Sequence, residues 1–245
     1  MGSPCPGMPA SIQPGDPEQV RDLFERIAPS YDRLNDLLSL GLHRLWKRQA
    51  VAWLQPRPGQ RLLDLCCGTG DLALLLAQQV RPGGLVLGMD LAAAPLERAR
   101  QRARLQPWLP LEFRQGDAMA TGLADGWADG ALMAYGLRNL ADPQAGLQEL
   151  RRVLASGGRA VVLDFNHLAD PQAPAARFQR FYLRQLVVPL AKRAGLEAQY
   201  AYLENSLARF PVAQEQERMA LEVGFAVARH RPLAGGQMGV LLLQA

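Results

Sequence analysis

Residues 62–71 read LLDLCCGTGD, and the fold turns on how that stretch is read. An apolar run of strand length carries an acid at Asp64, passes Cys66 and Cys67, and ends in the turn Gly68-Thr69-Gly70. A carboxylate inside a buried strand costs several kcal/mol unless something pairs with it, so a partner or a ligand has to compensate Asp64. A glycine turn between a first strand and its helix brings the backbone close to a ligand, with the amides of the helix N-terminus facing it.

Two ligand chemistries use such a turn. A dinucleotide site needs G-x-G-x-x-G and no acid in the preceding strand; here Asp71 and Leu72 follow Gly70 and the third glycine does not arrive. Asp64 suits instead a ligand bearing an ammonium group, which a carboxylate holds directly or through water. S-adenosylmethionine is such a ligand, with an amino-acid head, a sulfonium centre and no pyrophosphate. Asp90 ends the next apolar run, LVLGMD, at the position from which an acid reaches ribose hydroxyls in nucleotide-binding α/β folds. Asp117-Ala118 ends a third run, where a carboxylate and the following amide can read an adenine edge. Cofactor contacts are therefore expected at Asp64, Gly68, Gly70, Asp90, Asp117 and Ala118. Other roles stay open: Asp71 as an N-cap of DLALLLAQQV, Asp90 as an N-cap of AAAPLERAR, and the two cysteines as small core residues.

Outward from this point the chain alternates strand and helix. RLLDLC, LVLGMD, LEFRQGDA, GALMAY and RAVVLDF read as five strands, with DLALLLAQQV, APLERARQRARL and PQAGLQELRRVL as helices between them. The strands lack strict apolar–polar alternation, as in a parallel sheet covered on both faces, and the spacing is that of a doubly wound α/β fold. Upstream, EQVRDLFERIA sets Val20, Leu23, Phe24 and Ile27 on one helical face, and helical patterns continue to residue 54. Residues 167–210 break the rhythm as a helical insert with clustered aromatics, and GFAVARHRPL and MGVLLLQA read as a closing antiparallel pair. The expected organisation is a flexible tail over 1–17 and a single domain over 18–245, with N-terminal helices at 18–54 and a helical lid at 167–210.

Bulk properties narrow the function classes. The 245 residues are 49% hydrophobic, enough for a packed core. A net charge of +4 suits an anionic substrate or surface, but the arginines are scattered along helices without forming a block, which argues against nucleic acid. Three cysteines, two adjacent, make no disulfide framework and point to a reducing compartment. The N-terminal stretch has no charged n-region or apolar core of a secretory signal, and no run approaches transmembrane length. The expected location is cytoplasmic. No His/Cys/Asp cluster has zinc-ligand spacing, so no metal is expected.

Three stretches carry a resemblance: YDRLNDLLSLGLHRLW, YGLRNLADPQAGLQELRRVL and LLDLCCGTGD. Together they make the chain similar to class I methyltransferases of the menaquinone/ubiquinone biosynthesis C-methyltransferase family, from about residue 20 onward. Asp164-Phe165-Asn166, LRQLVVPLAKRAGLEAQYAYLENSL and the closing AGGQMGVLLLQ resemble the cyanobacterial and plastid branch, which methylates demethylphylloquinone, a phytyl-bearing naphthoquinone. The resemblance implies a Rossmann-like, mostly parallel seven-stranded sheet, S-adenosyl-L-methionine as cofactor with contacts at Thr69, Asp90, Asp117 and Ala118, and a phytyl naphthoquinol as substrate. A demethylmenaquinol, a prenylated benzoquinol or another small molecule stands as the alternative acceptor. Two departures matter: Ala134 stands where many relatives carry Ser before the GLRN motif, and DLAAAPLE replaces a loop in which Ser and Met are commoner, loosening an expected cap.

Transfer to a quinoid ring carbon requires an electron-rich acceptor, hence a quinol or its naphtholate. Tyr31, Arg138 and Asn139 are the candidate catalytic residues. Arg138 cannot act as a base and would stabilise the naphtholate oxygen or position a water; Tyr31 would hydrogen-bond the same oxygen and Asn139 would orient Arg138. Asp32 and His43 are weaker candidates, and His167 and His230 carry no functional expectation. The insert is either an ordinary lid or an apolar tunnel for a C20 tail, and its interleaved arginines and aromatics suit peripheral membrane contact through 177–193. Oligomeric state is left open, a homodimer included. A nucleic-acid methyltransferase would carry an N/D-P-P-Y/F type motif after the fourth strand, and YGLRNL is not one.

Overall fold

The computed structural model describes residues 15–27, 41–168 and 197–245, with isolated positions between 170 and 189. Tyr31 and Asp32 lie outside the described residues, as do Phe178, Arg180, Tyr182 and Arg184 of the aromatic stretch.

Helices α1 (Pro17–Ile27) and α2 (His43–Leu54) precede β1 (Arg61–Leu65), α3 (Asp71–Gln79), β2 (Leu85–Asp90), α4 (Ala93–Arg104), β3 (Leu111–Gln115) and β4 (Ala128–Ala134). A 3-10 turn (Leu137–Asn139), α5 (Pro143–Val153), β5 (Leu154–Phe165), α6 (Glu197–Arg209), α7 (Ala213–Glu222), β6 (Val227–Leu233) and β7 (Met238–Gln244) follow. The seven strands form one sheet in the order β3-β2-β1-β4-β5-β7-β6. The first five are parallel, and β7 runs antiparallel to both β5 and β6. The doubly wound pattern and the closing antiparallel pair are as the sequence led us to expect.

Several strand boundaries differ: β3 stops at Gln115, three residues short of the expected LEFRQGDA, so Asp117 and Ala118 lie in the turn beyond it, and β6 begins only at Val227. β5 begins at Leu154, ahead of the expected RAVVLDF, and its register against β4 shifts between Ala128 and Gly130. Ala155-Ser156-Gly157-Gly158 looks like a turn because Gly157 sits at φ 73°, but that residue irregularises the strand without ending it. β4 stops at Ala134, and Tyr135 turns out of the strand at φ 62°.

Leu63 and Leu65 of β1 pack into the core shared with Leu147 and Leu150 of α5 and Met219 of α7. Leu62 packs on the opposite face, with Leu54 of α2 and Leu72 and Leu76 of α3. Each such leucine contributes about 1.5–3 kcal/mol on burial. The period of two places Asp64 on the Leu62 face, under α2 and α3. Farther along, Asp142 caps α5 by accepting the amides of Gln144 and Ala145 at 2.8 and 3.2 Å, with Pro143 set in the first turn.

Candidate active site

The turn after β1 is held from several sides. Cys66 adopts φ 55°, a left-handed conformation that is uncommon for a side-chain-bearing residue. Gly136 lies against it so closely that a Cβ there would fall 2.7 Å from the Cys66 Sγ. The Cys67 amide donates to Met89 O and the Gly70 amide to Cys67 O, both at 2.9 Å. Gly70, at φ 81°, is the N-cap of α3 and contributes no side chain. Asp71 therefore sits inside the helix and does not cap it, which corrects that expectation. Its carboxylate instead joins Lys47 Nζ of α2 at 2.8 Å and Arg102 Nη1 of α4 at 2.6 Å. Burial alone would raise its pKa; the two cations outweigh that and bring it down to about 2. Thr69, buried, has its carbonyl and hydroxyl oxygens facing Arg102 Nη1 at 2.8 and 3.3 Å. Burial pushes the Cys66 and Cys67 thiols well above their ordinary pKa, which fits core residues and disfavours nucleophiles.

Asp64 is 1% exposed, and neither of its carboxylate oxygens receives a hydrogen bond among the described residues. Burial pushes its pKa up to about 8; Lys47 and the nearby Ala73 amide offset only part of that rise. The residue lines a small cavity with Gly68, Thr69, Lys47 and Tyr135. Native proteins rarely leave a buried carboxylate without a donor, so this one marks a place where a ligand supplies it. An ammonium group beside the Gly68-Thr69 backbone meets that requirement, and the donor set accordingly fits the amino-acid head of S-adenosylmethionine.

The small cavity adjoins a cleft of about 850 Å³, its open mouth included, at the carboxyl ends of the parallel strands. Asp90 lines it with Gly68, Asp117 and Ala118, so these expected contacts converge on one space. Asp90 Oδ2 accepts the Gly68 amide at 2.8 Å and Oδ1 the Ala92 amide at 3.0 Å, fastening the two glycine-turn and strand-end loops together. Burial raises its pKa despite those amides. Each oxygen keeps capacity for a further donor such as a ribose hydroxyl. Asp90 is not the N-cap of the following helix: that position is Ala92, which makes no side-chain cap. Asp117 Oδ1 accepts the Met119 amide at 2.8 Å, which shapes the turn presenting Ala118. The remaining walls are largely apolar, including Phe24 of α1, Leu65, Met89 and Leu140.

Asn139 lines the cleft and Arg138 does not. The Arg138 side chain turns to Asp164 at the end of β5, donating from Nη1 to Oδ1, and lies 5.2 Å over the Phe165 ring. The Arg138 backbone amide donates to Asp164 Oδ2 at 3.2 Å. Asn139 does not orient Arg138; its amide donates to Tyr135 O at 2.8 Å and its Oδ1 accepts the Tyr202 hydroxyl of α6 at 2.9 Å. Burial pushes the Tyr202 pKa up to about 12, with Arg138 and Arg209 pulling the other way, so this phenol stays a donor. His43 is buried in α2 and borders a surface groove with Arg44 and Lys47. His167 Nδ1 lies 2.6 Å from Phe210 O. Sequence reasoning missed Asp164, Tyr202 and Glu25. Asp164 stood out only as part of Asp-Phe-Asn, and the other two carry no local signal because their partners are distant in sequence.

The family model described as the ubiE/COQ5 methyltransferase family matches residues 13–242. A 2-phytyl-1,4-naphtoquinone methyltransferase of Trichormus variabilis is 48% identical over 226 residues, 92% of this chain and 98% of that protein. A chloroplastic 2-phytyl-1,4-beta-naphthoquinone methyltransferase of Arabidopsis thaliana is 42% identical over 225 residues, 91% of this chain and 85% of that one. Among solved structures, a SAM-dependent methyltransferase of Thermotoga maritima aligns with a TM-score of 0.62 at 20% identity, covering 91% of this chain and 98% of the other. That last likeness concerns the fold.

Proposed function

The chain belongs to the ubiE/COQ5 methyltransferase family, and from that premise we propose that it methylates the ring of 2-phytyl-1,4-naphthoquinol, a methyl-transfer step of phylloquinone synthesis. The enzyme is a quinone methyltransferase and its methyl donor is S-adenosyl-L-methionine. The observation that carries the substrate assignment is near-full-length identity of 48% to a protein named for that quinone. The mostly apolar cleft beside Asp64 and Asp90 suits it.

Bound S-adenosylmethionine supplies an electrophilic methyl group. Asp64 holds its ammonium head, Asp90 its ribose, and the Asp117-Ala118 turn its adenine. The acceptor carbon has to be electron-rich, so the substrate is the reduced quinol, whose hydroxyl proton passes to a water molecule as the naphtholate forms. Asn139 has one amide hydrogen beyond its bond to Tyr135, and it directs that hydrogen to the naphtholate oxygen. Tyr202 fixes the rotamer of Asn139 from the far side. Arg138, neutralised by Asp164, anchors the turn and acts on the substrate through Asn139. Tyr31 is retained as a second donor to the same oxygen. The largely apolar cleft walls would hold the ring in place for transfer and limit the access of water.

Because the acceptor carries a phytyl tail, the reading extends to a membrane surface met by residues 177–193 from the cytoplasmic side. Arg177 and Phe181 in that stretch are exposed, Phe181 by 61%. No helix among the described residues is long and apolar enough to cross a membrane. Flotation with anionic vesicles tests the contact: failure to bind, or binding unchanged on replacing Arg177, Arg180 and Arg184, removes it.

The test of function is methyl transfer from labelled S-adenosylmethionine to chemically reduced demethyl-phytylnaphthoquinone, with the oxidised quinone and a prenylated benzoquinol alongside. Turnover confined to the reduced naphthoquinone is expected. Preference for the benzoquinol would overturn the substrate, and equal turnover of the oxidised quinone would overturn the naphtholate step.

A further inference from the structure

Helix α4 begins without a cap of its own. Its N-cap residue, Ala92, has extended backbone angles (φ −88°, ψ 130°) and a methyl side chain that accepts nothing. The first turn of a helix leaves its amides without intrahelical partners, and here three need one: Ala92, Ala93 and Ala94, since Pro95 carries no N–H. Ala92 donates to Asp90 Oδ1 at 3.0 Å. Ala93 and Ala94 donate to Glu25, at 2.5 Å to Oε1 and 2.9 Å to Oε2. Glu25 belongs to α1, whose Pro17, Val20, Arg21 and Phe24 form one wall of the cleft. The cap of one helix is thus contributed by another that covers the ligand space. The acid expected at the ribose and the acid on the covering helix hang on consecutive amides of one turn.

We propose that Glu25 is a positioning residue, a latch that holds α1 over the cleft by capping α4, so that cofactor release requires the cap to break. The proposal rests on the reading of the cleft as the S-adenosylmethionine site. A serine at position 92 would cap α4 from within its own chain segment and leave α1 unfastened. The alanine there makes the helix dependent on Glu25, so closure over the cofactor and order in the Asp90–Ala94 turn rise and fall together. The carboxylate is suited to the task because both its oxygens are used at a helix N-terminus, where negative charge is favoured.

The experiment measures the affinity and release rate of S-adenosylhomocysteine in the full chain as wild type, Glu25→Gln, Glu25→Ala and the double variant Glu25→Ala/Ala92→Ser. Release from Glu25→Ala should be about tenfold faster, and from Glu25→Gln about threefold, as two charge-assisted bonds or their charge are lost. The double variant should recover the melting temperature lost by Glu25→Ala, because the introduced hydroxyl restores a local cap, while release stays fast. Release within twofold of wild type in Glu25→Ala, or in Glu25→Gln if the alanine variant does not fold, overturns the latch. Slow release regained in the double variant also overturns it, since Glu25 would then be a helix cap and nothing more. A wild type that does not bind S-adenosylhomocysteine removes the reading of the cleft and the latch with it.

Discussion

At the scale of single residues, Asp64 carries the clearest consequence. Its pKa near 8 in the folded chain lies above the ordinary carboxylate value, so folding takes up a proton between about pH 4 and pH 8. The stability it permits is full below its unfolded pKa and is lost as pH rises through about 8. Asp64→Asn should therefore stabilise the ligand-free protein at pH 8.5 by an amount on the order of a few kcal/mol, and less at pH 5, as chemical denaturation at the two pH values would report. Binding behaves oppositely. An ammonium group needs the ionised carboxylate, so S-adenosylhomocysteine should bind up to about tenfold more weakly per unit of pH below 8, and Asp64→Asn should flatten that dependence while weakening binding. Asn139 makes a different prediction. If its amide faces the naphtholate, Asn139→Ala should lower kcat by about 10²-fold with little change in the cofactor KM, measured in steady-state methyl transfer. Arg138 stood out in the sequence as a basic residue at the right sheet edge, but what it pairs with depends on Asp164, twenty-six positions on.

At the scale of elements, α2, α3 and α4 meet at one carboxylate, where Asp71 holds Lys47 and Arg102. The pKa of Asp71 is depressed to about 2, so its contribution to stability is present above about pH 4 and is lost as pH falls toward 2. Asp71→Asn should cost about 2 kcal/mol at pH 7, with the difference from wild type closing below about pH 3 in acid titrations of unfolding. The strands and helices themselves were legible, because Leu-rich runs separated by Gly, Pro and Asp punctuate the chain clearly. What was not legible follows from distance. Glu25 caps a helix 68 residues away, and nothing in EQVRDLFERIA distinguishes its glutamate from a solvated one. The start of β5 was not legible either: Gly157 lies outside the expected RAVVLDF, and what keeps it in the strand is a bond from its amide to Ala245 O at 3.1 Å, eighty-eight positions on.

At the scale of the whole molecule, the sheet sets the proposed cofactor contacts in the last residues of β1 and β2 and on the turns that leave its carboxyl edge, so that ligand binding at them would be thermodynamically linked to the fold. S-adenosylhomocysteine at 100 times its Kd should add about 2.7 kcal/mol and raise the melting temperature by roughly 5–10 °C, while NADH should leave it unchanged. A thermal shift with NADH and none with S-adenosylhomocysteine would refute the ligand assignment. The sheet order has a kinetic corollary. β7 is inserted between β5 and β6 although both precede it in the chain. During synthesis the parallel half can assemble early, but β5 keeps one edge unpaired and β6 has no sheet to join until Met238–Gln244 arrives. Closure is thus deferred to β7, and from the completion of β5 at Phe165 until Met238–Gln244 is made the nascent chain carries an open edge, vulnerable to pairing with another chain.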